Sequence, residues 1–161
     1  MTTAFITHPD CLKHEMGPHH AECPARLQAV YDAFFASGLM AQLRQIEAPL
    51  ASREQLVATH AADYVVAIFA AAPQHGYVAL DPDTSMNRFS LAAARHAAGA
   101  VIKGVDIVMA GEVANAFCAV RPPGHHAERA AAMGVCFSNH VAVAARHALD
   151  VHGLSRVAVI D

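Results

Sequence analysis

The sequence lacks tryptophan, and it has no apolar run that approaches the roughly 18 to 20 residues of a membrane span. Its first ten residues, MTTAFITHPD, lack the charged region and long apolar core of a signal peptide. Basic residues are also scarce, because 11 lysines and arginines face 14 acidic residues and leave a net charge of −3. We therefore expect no membrane partner, no direct nucleic-acid partner and a cytoplasmic location.

The four cysteines form no C-x-x-C pair, which disfavours a zinc knuckle and, without an export signal, favours reduced thiols. Histidine, in contrast, is abundant. The chain has 12 histidines, more than solubility or packing requires, and two adjacent pairs stand out, His19–His20 and His125–His126.

A content of 55% hydrophobic residues excludes a disordered chain, and 161 residues are the length of one domain. Apolar runs predict strands at TAFITH (3–8), NAFCAV (115–120) and SRVAVID (155–161). Helical patterns lie between them and are rich in alanine, which predicts closely packed helices. The alternation of strands and helices predicts an α/β fold with a mainly parallel sheet.

Local signals mark the ends of several helices. Pro24 stands at the first position of one helix, and Gly38 ends it. Ser52 and Gln55 form a capping-box pattern, and Ser90 is predicted to cap a long helix that continues to residue 110. Further helices are expected at residues 63–72 and 137–153, whereas residues 74–89 are polar and predict an exposed loop.

Polar side chains follow the predicted strands. His8 and Asp10 come after the first strand, His125 and His126 after the second, and Asp161 closes the third. In open α/β sheets, ligands bind beyond the carboxyl ends of the strands. These residues are therefore expected to converge on one site.

The sequence RPPG before His125 delivers the two histidines on a stiff loop, because each proline fixes its own φ and extends its predecessor. Imidazole has a pKa close to neutrality, which suits a general acid/base pair. A metal pair is a second interpretation, although neighbouring residues need further ligands for it. Ordinary exposed loop histidines are the third.

The remaining histidines have simpler interpretations. His19 and His20 follow no strand and are interpreted as solvated loop residues, with a substrate contact as the alternative. His140 and His147 lie seven residues apart on a predicted helix without an evident carboxylate partner, and we interpret them and His96 as surface or packing residues.

The stretches RPPGHHA, MGVCFSN and VAVID together resemble the zinc-dependent histone deacetylase family, and the similarity is greater to its bacterial and acetylpolyamine amidohydrolase-like members. ITHPDCLKHEMGPHHAECPARL resembles the N-terminal segment of the family, and LDPDTSMN resembles its pocket-rim loop. The resemblance implies an arginase/deacetylase-like three-layer α/β fold that is incomplete in this chain. Residues 1–161 would form the N-terminal part of a single deacetylase domain.

The resemblance also implies catalytic roles. His126 would be the general base that acts on zinc-bound water, and His125 would stabilise charge in the transition state. Asp161 would orient the first histidine and bind an alkali cation, commonly potassium. The zinc ligands and the catalytic tyrosine of the family would follow the position of Asp161 and are absent from the chain.

Substrate contacts are implied as well. The Gly134 carbonyl would line the acyl channel, and Val135 stands where the family usually has phenylalanine, so the channel would lose an aromatic wall. Asp81 or Asp83 would be the acid at the rim that grips substrate amides. Arg26 would lie near an internal cavity behind the site, which would hold the acetate product.

These implications predict a deacetylase that removes acetyl groups from acetyl-lysine or acetylpolyamine, with zinc as cofactor and potassium as a second ion. The chain by itself is expected to be inactive and to bind zinc weakly. Its uncovered apolar face predicts self-association or a complementing C-terminal chain. The alternative function is a non-catalytic fragment or partner-binding module of deacetylase ancestry.

Overall fold

The computed structural model describes residues 2–161 and contains a small parallel sheet. The strands of the chain are β1 (Thr3–Thr7), β2 (Arg44–Glu47), β3 (Val78–Asp81), β4 (Thr84–Met86) and β5 (Asn115–Cys118). The parallel sheet has the order β2-β1-β5, and both neighbours of β1 run parallel to it. A separate antiparallel hairpin is formed by β3 and β4.

Five α-helices connect these strands, and several begin where the sequence predicts. Pro24 opens the first helix, and Gly38, with φ +70°, follows its end. Both hydrogen bonds of the predicted capping box between Ser52 and Gln55 are present, at 2.8 and 3.2 Å. The helices are α1 (Pro24–Ala36), α2 (Arg53–Val57), α3 (Ala62–Ala71), α4 (Ser90–Met109) and α5 (His140–Asp150), with 3₁₀ turns at Pro9–Leu12 and Leu39–Gln42.

The central strand β1 separates two apolar layers because its side chains alternate between the faces of the sheet. Phe5 packs toward α1, where it meets Leu27 and Phe34. Ala4 and Ile6 point to the opposite face and pack with α4. The result is a three-layer helix–sheet–helix arrangement, as predicted.

The small residues of α4 allow the chain to pack closely against it. A Cβ atom at Gly99 would lie 1.9 Å from the carbonyl oxygen of Pro49, so only glycine fits there. The alanines on the same helix are fully or nearly fully buried, which agrees with the expectation of closely packed helices; they include Ala93, Ala94, Ala97, Ala98 and Ala100.

Two predictions for residues 74–90 are wrong. The segment is not a wholly exposed loop, because β3 and β4 form a hairpin whose Thr84 and Met86 are completely buried. These two residues share one face of β4, and Met86 packs with Ile68 and Phe137. Ser90 is the first residue of α4 rather than its cap, and its hydroxyl bonds to Nδ1 of His14 at 2.7 Å.

The predicted strand at residues 155–161 is not formed, and the prediction that it belongs to the sheet is wrong for this structure. A strand needs a neighbour for its backbone N–H and C=O groups, and among residues 2–161 this segment pairs with none.

Strand β2 was not predicted, because its sequence has a single apolar residue, Ile46, which is half-buried. No helix in the part of the chain that is described has the length and apolarity to cross a bilayer.

Candidate functional site

The tandem histidines lie on an irregular loop that follows β5. Gly124 packs so closely on His140 that a Cβ atom there would lie 2.2 Å from the His140 ring. The Gly124 carbonyl also accepts a hydrogen bond from the Val141 amide at 3.2 Å. The start of α5 therefore supports the loop from behind.

His125 and His126 are both exposed, and their ring centroids lie 4.1 Å apart with the planes inclined by 51°. Asn139, which caps α5 by accepting from the Ala142 amide, uses its side-chain N–H group to hold the loop. That group donates to the carbonyls of His125 at 3.1 Å and Ala127 at 3.2 Å, one on each side of His126. The backbone is fixed while both imidazoles face solvent.

His60 provides a second support for the same loop. Its Nδ1–H donates to the Glu128 carbonyl at 2.9 Å, and its Nε2 accepts from the Asn139 amide at 2.9 Å. Burial lowers the pKa of His60 and, more strongly, lowers the pKa of His140 to about 3. The exposed pair thus rests on two buried imidazoles that are held neutral.

Gly134 packs beside His126, and Val135 follows it in the chain and packs with the cluster that contains Met86 and Phe137. Gly134 has φ +53°, and a Cβ atom there would lie 2.9 Å from Cδ2 of His126. Val135 also has positive φ, at 61°, which is rare for a β-branched residue and indicates local strain. Its amide donates to the hydroxyl of Thr84 at 3.1 Å, which ties this wall to strand β4.

Asp81 and Asp83 lie at the turn of the β3–β4 hairpin, so the structure joins the predicted rim to the predicted channel wall. The carboxylate of Asp81 accepts from the Asp83 amide at 2.7 Å. The carboxylate of Asp83 is exposed and lies 3.4 Å from Nε2 of His20. The role of either acid in gripping a substrate stays a prediction.

A buried ion pair between Arg121 and Glu22 anchors the start of the loop. The guanidinium Nε donates to Glu22 Oε1 at 2.8 Å, Nη2 donates to Oε2, and the two side chains are 3% and 4% exposed. Arg121 Nη1 also donates to the carbonyls of Cys11 and His14, at 2.9 and 3.1 Å. Sequence reasoning missed this pair, although an arginine directly before Pro-Pro at a strand end was the available signal.

Arg26 bonds to the same Glu22 carboxylate at 3.1 Å, but its side chain is 58% exposed. It lines a cavity together with Glu22, Arg121 and side chains of α1 and β5. The cavity lies behind the loop, and its occupation by a product stays a prediction.

Asp161 is exposed, and among residues 2–161 it forms no ion pair with His125 or His126. Its role in orienting the first histidine and binding a cation stays a prediction. His8 and Asp10 do not join the tandem histidines; they cluster with His96 and, through His8 Nε2, with Glu47 at 3.1 Å. The side chains that follow β1 and β2 therefore form a separate cluster. The expected convergence of all strand-end residues on one point is not found among the described residues.

Residues 2–161 do not provide a set of ligands that fits a zinc ion at the tandem histidines. A structural or catalytic zinc needs three or four converging protein ligands. Two clusters of three His or acidic side chains occur among the described residues, and neither contains His125 or His126.

Comparison with known proteins gives consistent matches over this chain. A family model for the histone deacetylase domain matches residues 20–161. A histone deacetylase-like amidohydrolase of Pseudomonas aeruginosa is 38% identical over 176 aligned positions, covering 99% of this chain and 46% of the relative. Polyamine deacetylase HDAC10 of Mus musculus is 36% identical, covering 100% of this chain and 26% of the relative.

The fold has a solved counterpart. The crystal structure of the HDA15 HD domain superimposes with a TM-score of 0.87 at 33% sequence identity, and the match covers 93% of this chain and 43% of that chain. This agreement establishes the arginase/deacetylase-like arrangement that the sequence predicts. The chain spans between about a quarter and a half of the length of the relatives named here.

Proposed function

The chain belongs to the histone deacetylase domain family, and from this premise we propose that it contributes the paired histidines of an amidohydrolase that removes acetyl groups. The observation that carries the proposal is the His125–His126 pair itself: two solvent-facing imidazoles on a backbone held by Asn139 and backed by His140. We further propose that residues 1–161 act as the N-terminal part of one deacetylase domain, in the cytoplasm.

Amide hydrolysis needs a group that accepts a proton from the attacking water and a group that returns one to the leaving amine. An imidazole can do both near neutral pH. In the proposed assignment His126 is the proton acceptor, which is the role that the family resemblance implies for it, and Gly134 confines its ring from one side. His125, whose carbonyl is fixed by Asn139, stabilises developing negative charge.

The proposed substrate is an acetylated amine on a slender chain, such as acetyl-lysine or an acetylated polyamine. Gly134 lies against His126 and is followed by the aliphatic Val135. The hairpin that carries Asp81 and Asp83 is joined to this segment by the Thr84–Val135 hydrogen bond. Carboxylates at that turn suit a substrate with amide N–H groups or ammonium charge. The zinc of the family would require ligands from outside residues 2–161.

The test is turnover by the longest protein that the gene encodes, on an acetyl-lysine peptide and on an acetylated polyamine. His126→Ala should lower the rate by about 10²- to 10⁴-fold, the range for a positioned general base. His125→Ala should lower it less. His75→Ala, at an exposed histidine outside the loop, is the control and should leave the rate unchanged.

Zinc content is measured for the same three variants. Neither His125→Ala nor His126→Ala should lose zinc, because neither residue is assigned as a ligand. Loss of zinc in one of them would make that histidine a ligand, and equal mild effects on turnover would refute the proposed roles.

One observation favours a second function, a non-catalytic module that binds a partner chain. Apolar side chains are exposed on β5 and beyond α5, including Phe117 at 44%, Val159 at 57% and Ile160 at 97%. A deacetylation rate that is unaffected by His126→Ala, together with stable binding of another chain at this surface, would favour the module.

A further inference from the structure

We propose that Asp106, His147 and His152 form a binding site for a divalent transition metal of the zinc class. Nε2 of His147 lies 2.6 Å from Asp106 Oδ1, and Nε2 of His152 lies 2.8 Å from the same oxygen. One candidate ligand atom from each of the three residues lies within 4.8 Å of the other two. Two imidazoles and a carboxylate thus converge on one point.

Three separate elements bring these side chains together. Asp106 lies on α4, His147 lies in the last turn of α5, and His152 follows that helix. The chain reverses after His152 because Gly153 has φ +67° and the Leu154 amide donates to the Ala148 carbonyl at 3.3 Å. The turn places His152 against α4 without help from any residue of the tandem-histidine loop.

The donor set suits a borderline metal. Imidazole nitrogens with one carboxylate oxygen are ligands that Zn²⁺, Co²⁺ and Ni²⁺ accept readily. The rings of His147 and His152 meet edge to face at 75°, with centroids 5.4 Å apart, so their nitrogen edges converge rather than stack. Around a zinc ion, ligand atoms lie about 3.0 to 3.4 Å apart, so small side-chain rotations would replace the two hydrogen bonds by metal bonds.

The local charge favours a cation. Asp106 forms ion pairs with the two histidines alone among the residues that the structure describes, and the neighbouring Arg146 is engaged by Asp150 at 2.6 Å. The side chain of Asp106 is 41% exposed and that of His152 is 21% exposed. Water can therefore fill the open coordination positions, which predicts moderate rather than very tight binding.

The other cluster, His8, Asp10 and His96, is a weaker candidate. The ammonium of Lys13 lies 2.7 Å from Asp10, where it competes with a metal for the carboxylate. The rings of His8 and His96 stack face to face with centroids 3.3 Å apart, so their nitrogen lone pairs do not point toward a shared centre. This difference supplies an internal control for the experiment.

The experiment is titration of the metal-free chain with zinc chloride by calorimetry, and with cobalt chloride by visible absorption. The unaltered chain should bind one zinc with micromolar affinity and give cobalt d–d bands typical of nitrogen and oxygen ligands. Asp106→Asn, His147→Gln and His152→Gln should each weaken zinc binding at least tenfold. His75→Gln, at an exposed histidine outside both clusters, and His8→Gln should leave it unchanged.

Folding is checked by circular dichroism, and His152→Gln is the decisive variant because the residue lies outside α5. Zinc should also raise the Tm of the unaltered chain but not that of His152→Gln. Absence of zinc binding, or binding that survives His152→Gln and is lost in His8→Gln or His126→Ala, would overturn the proposal. The readout needs no turnover, so it is independent of the proposed deacetylase activity.

Discussion

The backbone of Gly134 lies directly against the ring of His126: a Cβ atom at Gly134 would be 2.9 Å from Cδ2 and 3.1 Å from Cγ of that histidine. Gly134→Ala should therefore displace the ring as well as strain the backbone at φ +53°. Gly76→Ala is a matched control, because Gly76 has φ +66° and open space around its Cβ position.

Each substitution should lower the free energy of unfolding by about 1 to 2 kcal/mol, because it places alanine in a left-handed backbone conformation. Gly134→Ala should cost at least about 1 kcal/mol more, since overpacking adds to it. Urea unfolding measures both, and the excess should become smaller when His126 is also alanine, because the ring atoms are removed while the Cβ contact at 3.1 Å remains. Equal costs in the two single variants would show that the contact with His126 is not tight.

The ion pair between Arg121 and Glu22 gives a second prediction. Glu22→Gln leaves a buried guanidinium without its countercharge and should lower the free energy of unfolding by about 3 to 5 kcal/mol. Arg26→Gln removes the exposed cation from the same carboxylate and should cost no more than about 1 kcal/mol. Comparable losses in the two variants would contradict the assignment of Arg121 as the buried anchor.

Asn139 is expected to act as more than a helix cap. Asn139→Ala should cost about 1 kcal/mol for the cap and a further 1 to 2 kcal/mol, roughly, for the bonds to the His125 and Ala127 carbonyls. Ser52→Ala removes a helix cap that makes no bond to the loop, and it should lower the free energy of unfolding only by the amount expected for a cap, about 1 kcal/mol. In NMR spectra the imidazole signals of His125 and His126 should shift in Asn139→Ala and stay in place in Ser52→Ala.

Stability should fall as the solution is acidified below the ordinary histidine range. Burial lowers the pKa of both His14 and His140 to about 3 in the folded chain, from an ordinary value of 6.5. Between these values the unfolded chain binds more protons than the folded chain. The free energy of unfolding therefore decreases with falling pH, by up to about 1.4 kcal/mol per pH unit for each histidine.

Well above pH 6.5, from about pH 7.5, these two groups add almost no slope, because both states then hold them neutral. Urea unfolding at several pH values from 7.5 to 4.5 measures the effect. His140→Asn should flatten the dependence, while His75→Asn, at an exposed position, should not. A stability that is constant from pH 7 to 5 would rule out buried neutral imidazoles at these positions.

The exposed apolar side chains predict self-association. Phe117 and Ile160 offer apolar surface that water hydrates unfavourably, and the chain should form concentration-dependent oligomers and bind a hydrophobic dye. Ile160→Lys combined with Val159→Lys should reduce both signals. A monomer that binds no dye at high concentration would argue that this surface is not available.

Features fixed by neighbouring residues could be predicted from the sequence. Pro24 and Gly38 bound α1, and Ser52 with Gln55 forms the expected box, since each signal acts within one helical turn. The family resemblance likewise depends on the contiguous stretch around His125, and the histone deacetylase domain model matches the same region.

Features that depend on distant residues escaped prediction. Arg121 and Glu22 are 99 positions apart, and Val135 and Thr84 are 51 apart. Polarity suggested that residues 74–89 were exposed, yet Thr84 is buried because its hydroxyl meets the Val135 amide. The interaction of His147 with Asp106 was missed for the same reason, since the carboxylate lies on another helix.

The hydrogen bond from Val135 to Thr84 has a consequence for how the surface beside His126 can diversify. Thr84 is fully buried, whereas Pro82 and Asp83 at the hairpin turn are exposed and their side chains take no part in the bond to Val135. Replacement at the turn would change the charge and shape offered to an arriving molecule while the wall beside His126 keeps its position. In the proposed enzyme, selection can therefore change substrate recognition at residues 82 and 83 almost independently of the proposed chemistry at His126, and a library randomised there should yield altered preferences in folded proteins.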